Sequence, residues 1–251
     1  MSVHALFHQE DAVPAGRAVT LSDQIVAEVS AALFDQRLKP GDFLGTEKDL
    51  AARGGVSRIV ARDALRTLEA LGVVDIKVGA GGGARIAHGN PRLFAEALAV
   101  QLALTGVGAA EIMDSQRAIE CLAAELAAEN ATAADHAKLK QLLADAEASL
   151  DDIAAFTKAS MAFHLTVAEA SHNRVLVVQL ISLHHVAWPV TNSTLNRAVS
   201  GRILAVHKQL AALIEMRDPA AARRLMDDHI KMIRARRVAE HDGRDAGPGC
   251  C

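Results

Sequence analysis

Three histidines in the second half of the chain have the residue type and the surroundings of metal ligands. His164, His207 and His229 each lie among aliphatic or aromatic residues at helical spacing, on three separate predicted helices. A single histidine of this kind is more often a hydrogen-bonded core residue than a ligand. Three of them in one bundle, however, need partners when buried, and one divalent transition ion would satisfy all three neutral imidazoles. The pattern therefore favours a metal site with positions open to water or a ligand.

A basic stripe in the first third of the chain has the chemistry of DNA recognition. Arg58, Arg62 and Arg66 are spaced four residues apart, so a helix presents them on one face. Arginine can donate two hydrogen bonds to guanine in the major groove, and Arg58 is nearest the helix N-terminus, which reaches the base edges. A basic stripe on an isolated helix is equally well explained as a solvated face. The neighbouring elements decide between these interpretations.

The elements around the basic stripe follow the order of a winged helix-turn-helix. Thr46 begins one helix through a capping box, and Ser57 caps the next helix after a pair of glycines. Two short strands, 73–76 and 85–87, flank a glycine-rich tip, 79–83, whose backbone N–H groups can approach phosphates. This order favours DNA binding over a solvated face.

Residues 21–86 resemble the DNA-binding domain of the GntR family of bacterial transcription regulators. The resemblance is carried by these motifs: Pro40-Gly41-Asp42, Glu47, Leu50-Ala51, Gly55-Val56-Ser57-Arg58, Arg62-Asp63-Ala64-Leu65, Leu68 and Gly72. In the family, DNA contacts come from the second helix, the recognition helix and the wing. The resemblance implies that four positions here contact DNA: Lys48, Arg58, Arg62 and Gly79.

Two pairs of residues depart from the pattern of this family. Gly45-Thr46 replaces the usual proline-serine or proline-alanine before the glutamate. Ile59 and Val60 replace small or hydroxylated residues after the first recognition arginine. We include Ile59 and Val60 in the DNA-contacting surface, and we expect the departures to change the operator sequence rather than DNA binding itself.

Composition predicts a mostly α-helical protein of two domains. The 251 residues are 51% hydrophobic, 23% charged and 3% aromatic, with abundant alanine and leucine, which indicates a large core built from helices. The net charge is −3, yet residues 37–90 contain nine Lys or Arg against six Asp or Glu. A locally positive module on an acidic body is expected when one part of a protein faces phosphates.

Cysteine usage and hydropathy favour a cytoplasmic protein without membrane association. Two of the three cysteines are the terminal pair Cys250-Cys251, and no charged-then-apolar leader opens the chain. The longest weakly polar run, 93–110, contains Glu96, Gln101 and several turn-prone residues. That run predicts a buried helix ending in a loop rather than a membrane span.

Residues 93–238 resemble the all-helical FCD effector domain of the FadR-like GntR subfamily. The motifs that carry this resemblance are Arg117-Ala118-Ile119-Glu120, Ala127-Ala128, Phe163-His164, 170–173, His207 and 217–229. It implies that His164, His207 and His229 hold a divalent metal ion, of the zinc, nickel or manganese class, with an aspartate one turn before His164. Ser160 stands at that position, and a serine hydroxyl is a poor ligand, so we expect a weakened site.

Three residues are candidates for binding an effector: Arg117, Ser160 and Asn173. In the subfamily an arginine at the position of Arg117 faces the effector cavity, and a planar guanidinium suits a carboxylate. The alternative for Arg117 is an intrahelical ion pair with Glu120. Asn173 ends a predicted helix, where a left-handed C-cap is as good an explanation as a ligand contact.

Together these patterns and the family resemblance imply a homodimeric transcription repressor that binds a palindromic double-stranded operator and is released from it by a small carboxylate metabolite. The expected architecture is a winged helix-turn-helix of three helices and a β-hairpin wing, followed by an all-α bundle of six or seven helices. The predicted segments are a mobile arm (1–20), the DNA-binding domain (21–88), a linker (89–95), an effector-binding and dimerisation domain (96–240) and a disordered tail (241–251).

Two alternatives remain open from the sequence. The first is a metal-dependent enzyme built on the three-histidine bundle, which would need a general base near the metal. Ser160 in the carboxylate position and the absence of nucleophile or phosphate-loop motifs count against it, and we expect no enzymatic activity. The second is a regulator in which the bundle site is only structural.

Overall fold

The computed structural model describes residues 19–79, 81–187 and 195–245, in two compact units, Met1–Asn90 and Pro91–Cys251. All but two residues of the predicted arm, 1–20, lie outside the described part of the chain. The boundary between the units falls within the segment predicted as a linker. At the other end, the last helix continues to Asp245 and so enters the segment predicted as a disordered tail.

The described part of the N-terminal unit contains three helices and three strands: α1 (Leu21–Phe34), β1 (Phe43–Gly45), α2 (Glu47–Gly54), α3 (Arg58–Ala70), β2 (Val74–Lys77) and β3 (Gly83–Ile86). The strands form an antiparallel sheet in the order β1-β3-β2. This architecture confirms the predicted winged helix-turn-helix. The sequence did not predict β1, because three residues are too few to show an alternating pattern.

Hydroxylated side chains begin the three helices of this unit. Thr46 forms the predicted capping box of α2, and Ser57 accepts a hydrogen bond from a backbone N–H of α3. Thr20 caps α1. Ser22, two residues later, is buried, and its hydroxyl donates to the Asp63 carboxylate on α3 at 2.7 Å.

Helix α3 supplies the centre of the N-terminal core. Its inward residues Ala61, Leu65 and Leu68 are at most 3% exposed, as their spacing predicts. They pack with residues from the other helices and the sheet, namely Val29, Leu44, Leu50, Ala51, Val74, Ala84 and Ile86. This packing fixes the opposite face of α3 toward solvent, where the basic stripe lies.

Two glycines allow the wing to turn tightly. A Cβ atom added at Gly82 would lie 2.2 Å from the carbonyl oxygen of Lys77, and one at Gly83 would lie 2.7 Å from the ring of Phe43. Gly83 also has a φ of +140°, which side chains rarely adopt. The tight turn between β2 and β3 therefore depends on glycine at both positions.

The C-terminal unit is an all-helical bundle, with seven helices in its described part: α4 (Pro91–Leu104), α5 (Ala109–Asn130), α6 (Ala133–Ala148), α7 (Ile153–Ala170), α8 (Arg174–Ala187), α9 (Arg197–Glu215) and α10 (Pro219–Asp245). This number agrees with the prediction of six or seven. Helix α4 ends in a turn as predicted, but it is mostly exposed; among its described side chains, 92–104, only Ala95 is fully buried. Within the described residues, no helix is both long and apolar enough to cross a membrane.

Helices α5 and α10 pack closely through small residues. Ala124 and Ala127 of α5 and Ala222 of α10 are completely buried in one apolar cluster, and side chains of this size permit a short interaxial distance. The same cluster contains Phe163 of α7 and Leu210 of α9. Phe163 immediately precedes His164, and Leu210 lies one helical turn after His207, so the core places those histidines in the interior.

Candidate metal centre and DNA-binding surface

The three predicted histidines converge inside the bundle. His164 of α7, His207 of α9 and His229 of α10 are each at most 5% exposed. Their Nε2 atoms lie close together, with 3.1 Å between His207 and His229 and 3.4 Å between His229 and His164. One ring nitrogen from each residue lies within 4.8 Å of the other two. The core thus brings together three side chains from three helices, as the apolar stripes predicted.

Ring packing holds these imidazoles in fixed orientations. The ring of Phe163 stacks on His207, with centroids 4.4 Å apart and an interplanar angle of 11°. His164 and His229 lie nearly parallel, with centroids 5.3 Å apart and an angle of 8°. Orientation matters because a metal-binding nitrogen must direct its lone pair toward the ion.

A buried carboxylate from α5 completes the arrangement. Glu120 is 1% exposed and accepts a hydrogen bond from Nδ1 of His164. Gln116, one turn earlier, donates from Nε2 to the other carboxylate oxygen at 2.5 Å. Nε2 of His184 on α8 lies 3.9 Å from that same oxygen. The alternative of an Arg117–Glu120 ion pair is therefore wrong, since Glu120 faces the interior.

The protonation states follow from burial and from these contacts. Burial raises the pKa of Glu120, but the charge of His164 and the hydrogen bonds from His164 and His184 outweigh this effect and lower the pKa overall. Burial lowers the pKa of His207 well below its ordinary value, and it lowers the pKa of His229 to about 3. At neutral pH the cluster therefore combines an ionised carboxylate with neutral imidazoles at His207 and His229.

The donor set fits a divalent transition metal. Ligand nitrogens about 2.0–2.1 Å from a tetrahedral ion lie roughly 3.3 Å from one another. Two of the three Nε2 separations here are 3.1 and 3.4 Å, and one ring nitrogen of each histidine lies within 4.8 Å of the other two. Because an ionised carboxylate can only accept, Nδ1 of His164 carries a proton, and Nε2 is the nitrogen of this ring that would face a metal ion. A carboxylate behind a ligating histidine is the usual supporting arrangement in metal sites.

Ser160 and Asn173, the other two bundle residues that the resemblance implies, do not join the histidine cluster through any described hydrogen bond. Ser160 lies one turn before His164 on α7 and is half-buried, so no carboxylate extends from that position. Asn173 accepts hydrogen bonds from the backbone N–H groups of Val175 and Leu176 and thereby begins α8. The left-handed residue is His172, with a φ of 54°. The C-cap interpretation of Asn173 is therefore wrong, because the chain reverses one residue earlier.

Arg117 lies apart from the histidines. Its Nε donates to the Asp227 carboxylate on α10 at 2.6 Å, and its side chain is 40% exposed. It lines a surface concavity together with Cys121 and Arg223. The resemblance implies that Arg117 faces an effector cavity, but its guanidinium is engaged by α10 at the outer edge of α5.

The N-terminal unit presents a basic surface along α3. Arg58 is the first residue of that helix and is exposed, as are Lys48 on α2 and Gly79 in the wing. Arg62 donates from Nε and Nη2 to the two carboxylate oxygens of Glu47, both at 2.8 Å. This hydrogen bond lowers the pKa of Glu47, and the nearby charge of Arg58 acts in the same direction. The carboxylate thus holds one recognition arginine in a defined orientation.

The two residues after Arg58 differ in exposure. Ile59 is 78% exposed, whereas Val60 is half-buried. Beside them, a concavity between α3 and the wing is lined by Arg62, Arg66 and Lys77 among others. Basic side chains therefore surround a recessed surface of the kind that a phosphate backbone can occupy.

A winged helix-turn-helix with an exposed basic recognition helix, joined to a helical bundle, defines a DNA-binding transcription regulator with a separate effector domain. Residues 21–83 match the family described as "Bacterial regulatory proteins, gntR family", and residues 111–232 match the FCD domain. The chain belongs to the GntR family, with an FCD domain after the DNA-binding domain. It is accordingly a transcription regulator and not an enzyme.

Relatives support this membership over nearly the whole chain. The chain is 30% identical over 236 residues to the "Putative L-lactate dehydrogenase operon regulatory protein" of Escherichia coli (strain K12), covering 90% of each protein. It is 29% identical to the Uxu operon transcriptional regulator of the same organism, covering 88% of this chain and 89% of that protein. A solved structure of Streptococcus agalactiae GntR has a similar fold, with a TM-score of 0.58 and 20% identity over 85% of this chain and 99% of that chain.

Proposed function

We propose that this regulator is a homodimeric repressor that is released from its operator by a small carboxylate bound in the helical unit. The observation that carries this proposal is the convergence of three buried imidazoles, from His164, His207 and His229, in the domain attached to the DNA-binding head. Buried polar groups that meet at one point need a shared partner. We place the protein in the cytoplasm, where its DNA would be.

His164, His207 and His229 would hold a divalent metal ion through their Nε2 atoms. An ion in this position would act as a Lewis acid with coordination positions left open for a ligand oxygen. Glu120 supports the site by fixing the tautomer and the orientation of His164. Ser160 contributes no carboxylate, so the site depends on three protein ligands.

The effector would be a carboxylate because a hard anionic oxygen suits an open coordination position on such an ion. Gln116 and His184 lie next to Glu120 and offer further polar groups, and Oε1 of Gln116 is buried without a hydrogen-bond partner. Arg117 is engaged by Asp227 and stays outside this proposed site. One relative is named for an L-lactate dehydrogenase operon, and lactate is a small carboxylate, which supports this class of ligand.

Metal analysis and titration calorimetry test the site directly. We expect wild-type protein to bind one divalent ion per chain, and His207→Ala to lose this binding. Ser160→Asp should bind the ion more tightly, because it adds an anionic ligand one turn before His164 on the same helix face. If wild type binds no metal at micromolar concentration and Ser160→Asp gains none, the cluster is structural and the effector is held without an ion.

Footprinting on selected DNA tests the operator. One recognition helix makes too few contacts for genomic selectivity, so we propose that two heads bind two symmetric half-sites. Arg58→Ala should cost about 1–3 kcal/mol of operator-binding free energy and relax the base preference. Lys48→Ala should weaken binding to all DNA sequences and lower the slope of log affinity against log salt concentration by about one. A footprint without a dyad would contradict the dimer, and transcription in vitro with and without small carboxylates would decide whether the effector relieves repression.

A further inference from the structure

Ile59 occupies the outermost position of the recognition helix. At about 100° per residue, it lies roughly opposite the centre of the buried face formed by Ala61, Leu65 and Leu68. Its side chain is 78% exposed, so it contributes little to the core. It is also the second residue of α3, at the end of the helix that meets base edges in this motif.

The neighbours of Ile59 on this face are basic. Arg58 precedes it, and Arg62 and Arg66 follow on the same side of the helix. The charges of all three arginines reach the Glu47 carboxylate and lower its pKa, which shows that they form one electrostatic cluster. A large aliphatic side chain on this exposed helix face would approach the DNA together with the arginines.

The major groove presents one apolar group, the C5 methyl of thymine. Guanine, cytosine and adenine display hydrogen-bonding atoms at their major-groove edges, and an isoleucine side chain would leave those atoms without partners. Arg58 and Ile59 are the first two residues of α3, so both side chains project from the turn that meets base edges in this motif. Ile59 could therefore reach a base beside the one that Arg58 contacts.

We propose that Ile59 recognises the C5 methyl group of a thymine in each operator half-site, next to the base contacted by Arg58. The inference rests on the sequence-specific, two-fold DNA binding proposed above and adds a chemical requirement to it. Exposed aliphatic residues on a regulator surface are common and usually neutral. This one differs because it projects from the N-terminal turn of the helix that enters the groove.

Removal of single methyl groups from the DNA tests the contact. The operator is first selected from a random double-stranded library with the full-length protein. Each thymine of the half-site is then replaced by deoxyuridine, which keeps the base pairing and removes only the methyl group. Burial of one methyl group is worth about fourfold in affinity, and about 15-fold when both half-sites change together. We expect one thymine position to show this loss with wild-type protein.

Two variants separate a specific contact from a general effect. Ile59→Ala should bind the unmodified operator more weakly by the same factor and should be insensitive to deoxyuridine at that position. Leu71→Ala is the matched control, because Leu71 is 61% exposed and caps the opposite end of α3; it should bind and respond like wild type. Circular dichroism should show that both variants fold, since both side chains are exposed.

The possible failures point to different errors. If no thymine position responds to methyl removal in wild type, or if Ile59→Ala keeps the wild-type response, the proposed contact is wrong, while sequence-specific binding to the selected operator is unaffected. If the library yields no preferred sequence, sequence-specific binding itself is wrong.

Discussion

The contacts of Glu120 explain how a site with only three histidine ligands could hold a metal ion. The carboxylate is buried, ionised and bonded to Nδ1 of His164. An anion in this position makes the imidazole more basic and prevents the ring from rotating. In this chain α5 supplies the carboxylate, whereas the family pattern would place one on α7 at the position of Ser160.

Glu120→Gln should weaken metal binding about 10- to 100-fold, the range found when a supporting carboxylate is lost. The substitution keeps the size of the side chain and removes its charge, so the packing of α5 should persist. Glu125→Gln is the control, because Glu125 lies on the same helix and pairs with Arg223 near the surface. Titration calorimetry on both variants measures the effect. Equal affinities for wild type and Glu120→Gln would show that His164 needs no charged partner.

The bidentate ion pair between Arg62 and Glu47 orients a side chain on the DNA-binding surface, as Glu120 orients His164 in the bundle. It occupies two of the five N–H donors of the guanidinium and directs the remaining donors outward. Glu47→Gln should increase affinity for all DNA and steepen the salt dependence by up to about one unit, because one negative charge near phosphates is removed. Discrimination between operator and scrambled DNA should fall, because Arg62 loses its fixed orientation.

Binding isotherms at several salt concentrations measure both effects of Glu47→Gln. Glu28→Gln removes the same charge from exposed α1 and should leave the discrimination unchanged. If Glu47→Gln discriminates as well as wild type, the ion pair has no part in recognition.

Among elements, the connection between α9 and α10 shows how one side chain can join two helix ends. Arg217 has a φ of 59°, a left-handed conformation that is unfavourable for a residue with a side chain. Its guanidinium donates to the backbone oxygens of Ala128, Glu129 and Ala131 at the end of α5. Positive charge at a helix C-terminus is stabilising, and this contact offsets the strained backbone.

Replacement of Arg217 should separate these two contributions. Arg217→Ala keeps the strain and loses the hydrogen bonds, so it should lower the free energy of unfolding by about 1–3 kcal/mol. Arg217→Gly loses the same bonds but relaxes the backbone, so it should be less destabilising than alanine by about 1 kcal/mol. Urea unfolding of the variants measures both values. If glycine is no better than alanine, the left-handed conformation carries no cost here.

The elements were more predictable from the sequence than the contacts between them. Helix and wing positions follow from local signals, such as the caps Thr46 and Ser57 and the glycines of the wing. The convergence of the histidines also follows, since each lies in an apolar stripe. Glu120 was missed because its partner is 44 residues away in the chain, while a charged neighbour, Arg117, lies one turn away. The spacing on one helix suggested an Arg117–Glu120 pair, whereas packing between helices pairs Glu120 with His164 and Arg117 with Asp227.

At the scale of the whole molecule, two units with separate cores each contain one candidate functional site. The N-terminal unit holds the DNA-binding helix, and the C-terminal unit holds the buried histidines. Acid should therefore destabilise mainly the C-terminal unit, because the two histidines whose pKa values burial lowers, His207 and His229, lie there. The described part of this unit is all helical, so circular dichroism can follow the unfolding of the bundle.

Metal-free protein should lose stability as the pH falls below about 6.5. In the folded state burial lowers the pKa of His229 to about 3 and lowers that of His207 as well. The unfolded chain, with histidine pKa values near 6.5, therefore takes up protons first, and acid favours unfolding. At pH 5.5 each histidine should cost about 1.4 kcal/mol relative to neutral pH. Urea midpoints of chelator-treated protein, measured by circular dichroism at pH 7.5 and 5.5, test this.

The variant His207→Phe shows whether the loss comes from the histidines themselves. Phenylalanine keeps an aromatic ring against Phe163, which stacks on His207 at 4.4 Å, and removes one titrating group. The fall in unfolding free energy between pH 7.5 and 5.5 should shrink by about half in this variant, because one of the two buried histidines with a lowered pKa remains. A midpoint that does not change with pH in wild type, or a fall of the same size in His207→Phe, would show that the two rings are not kept neutral by burial.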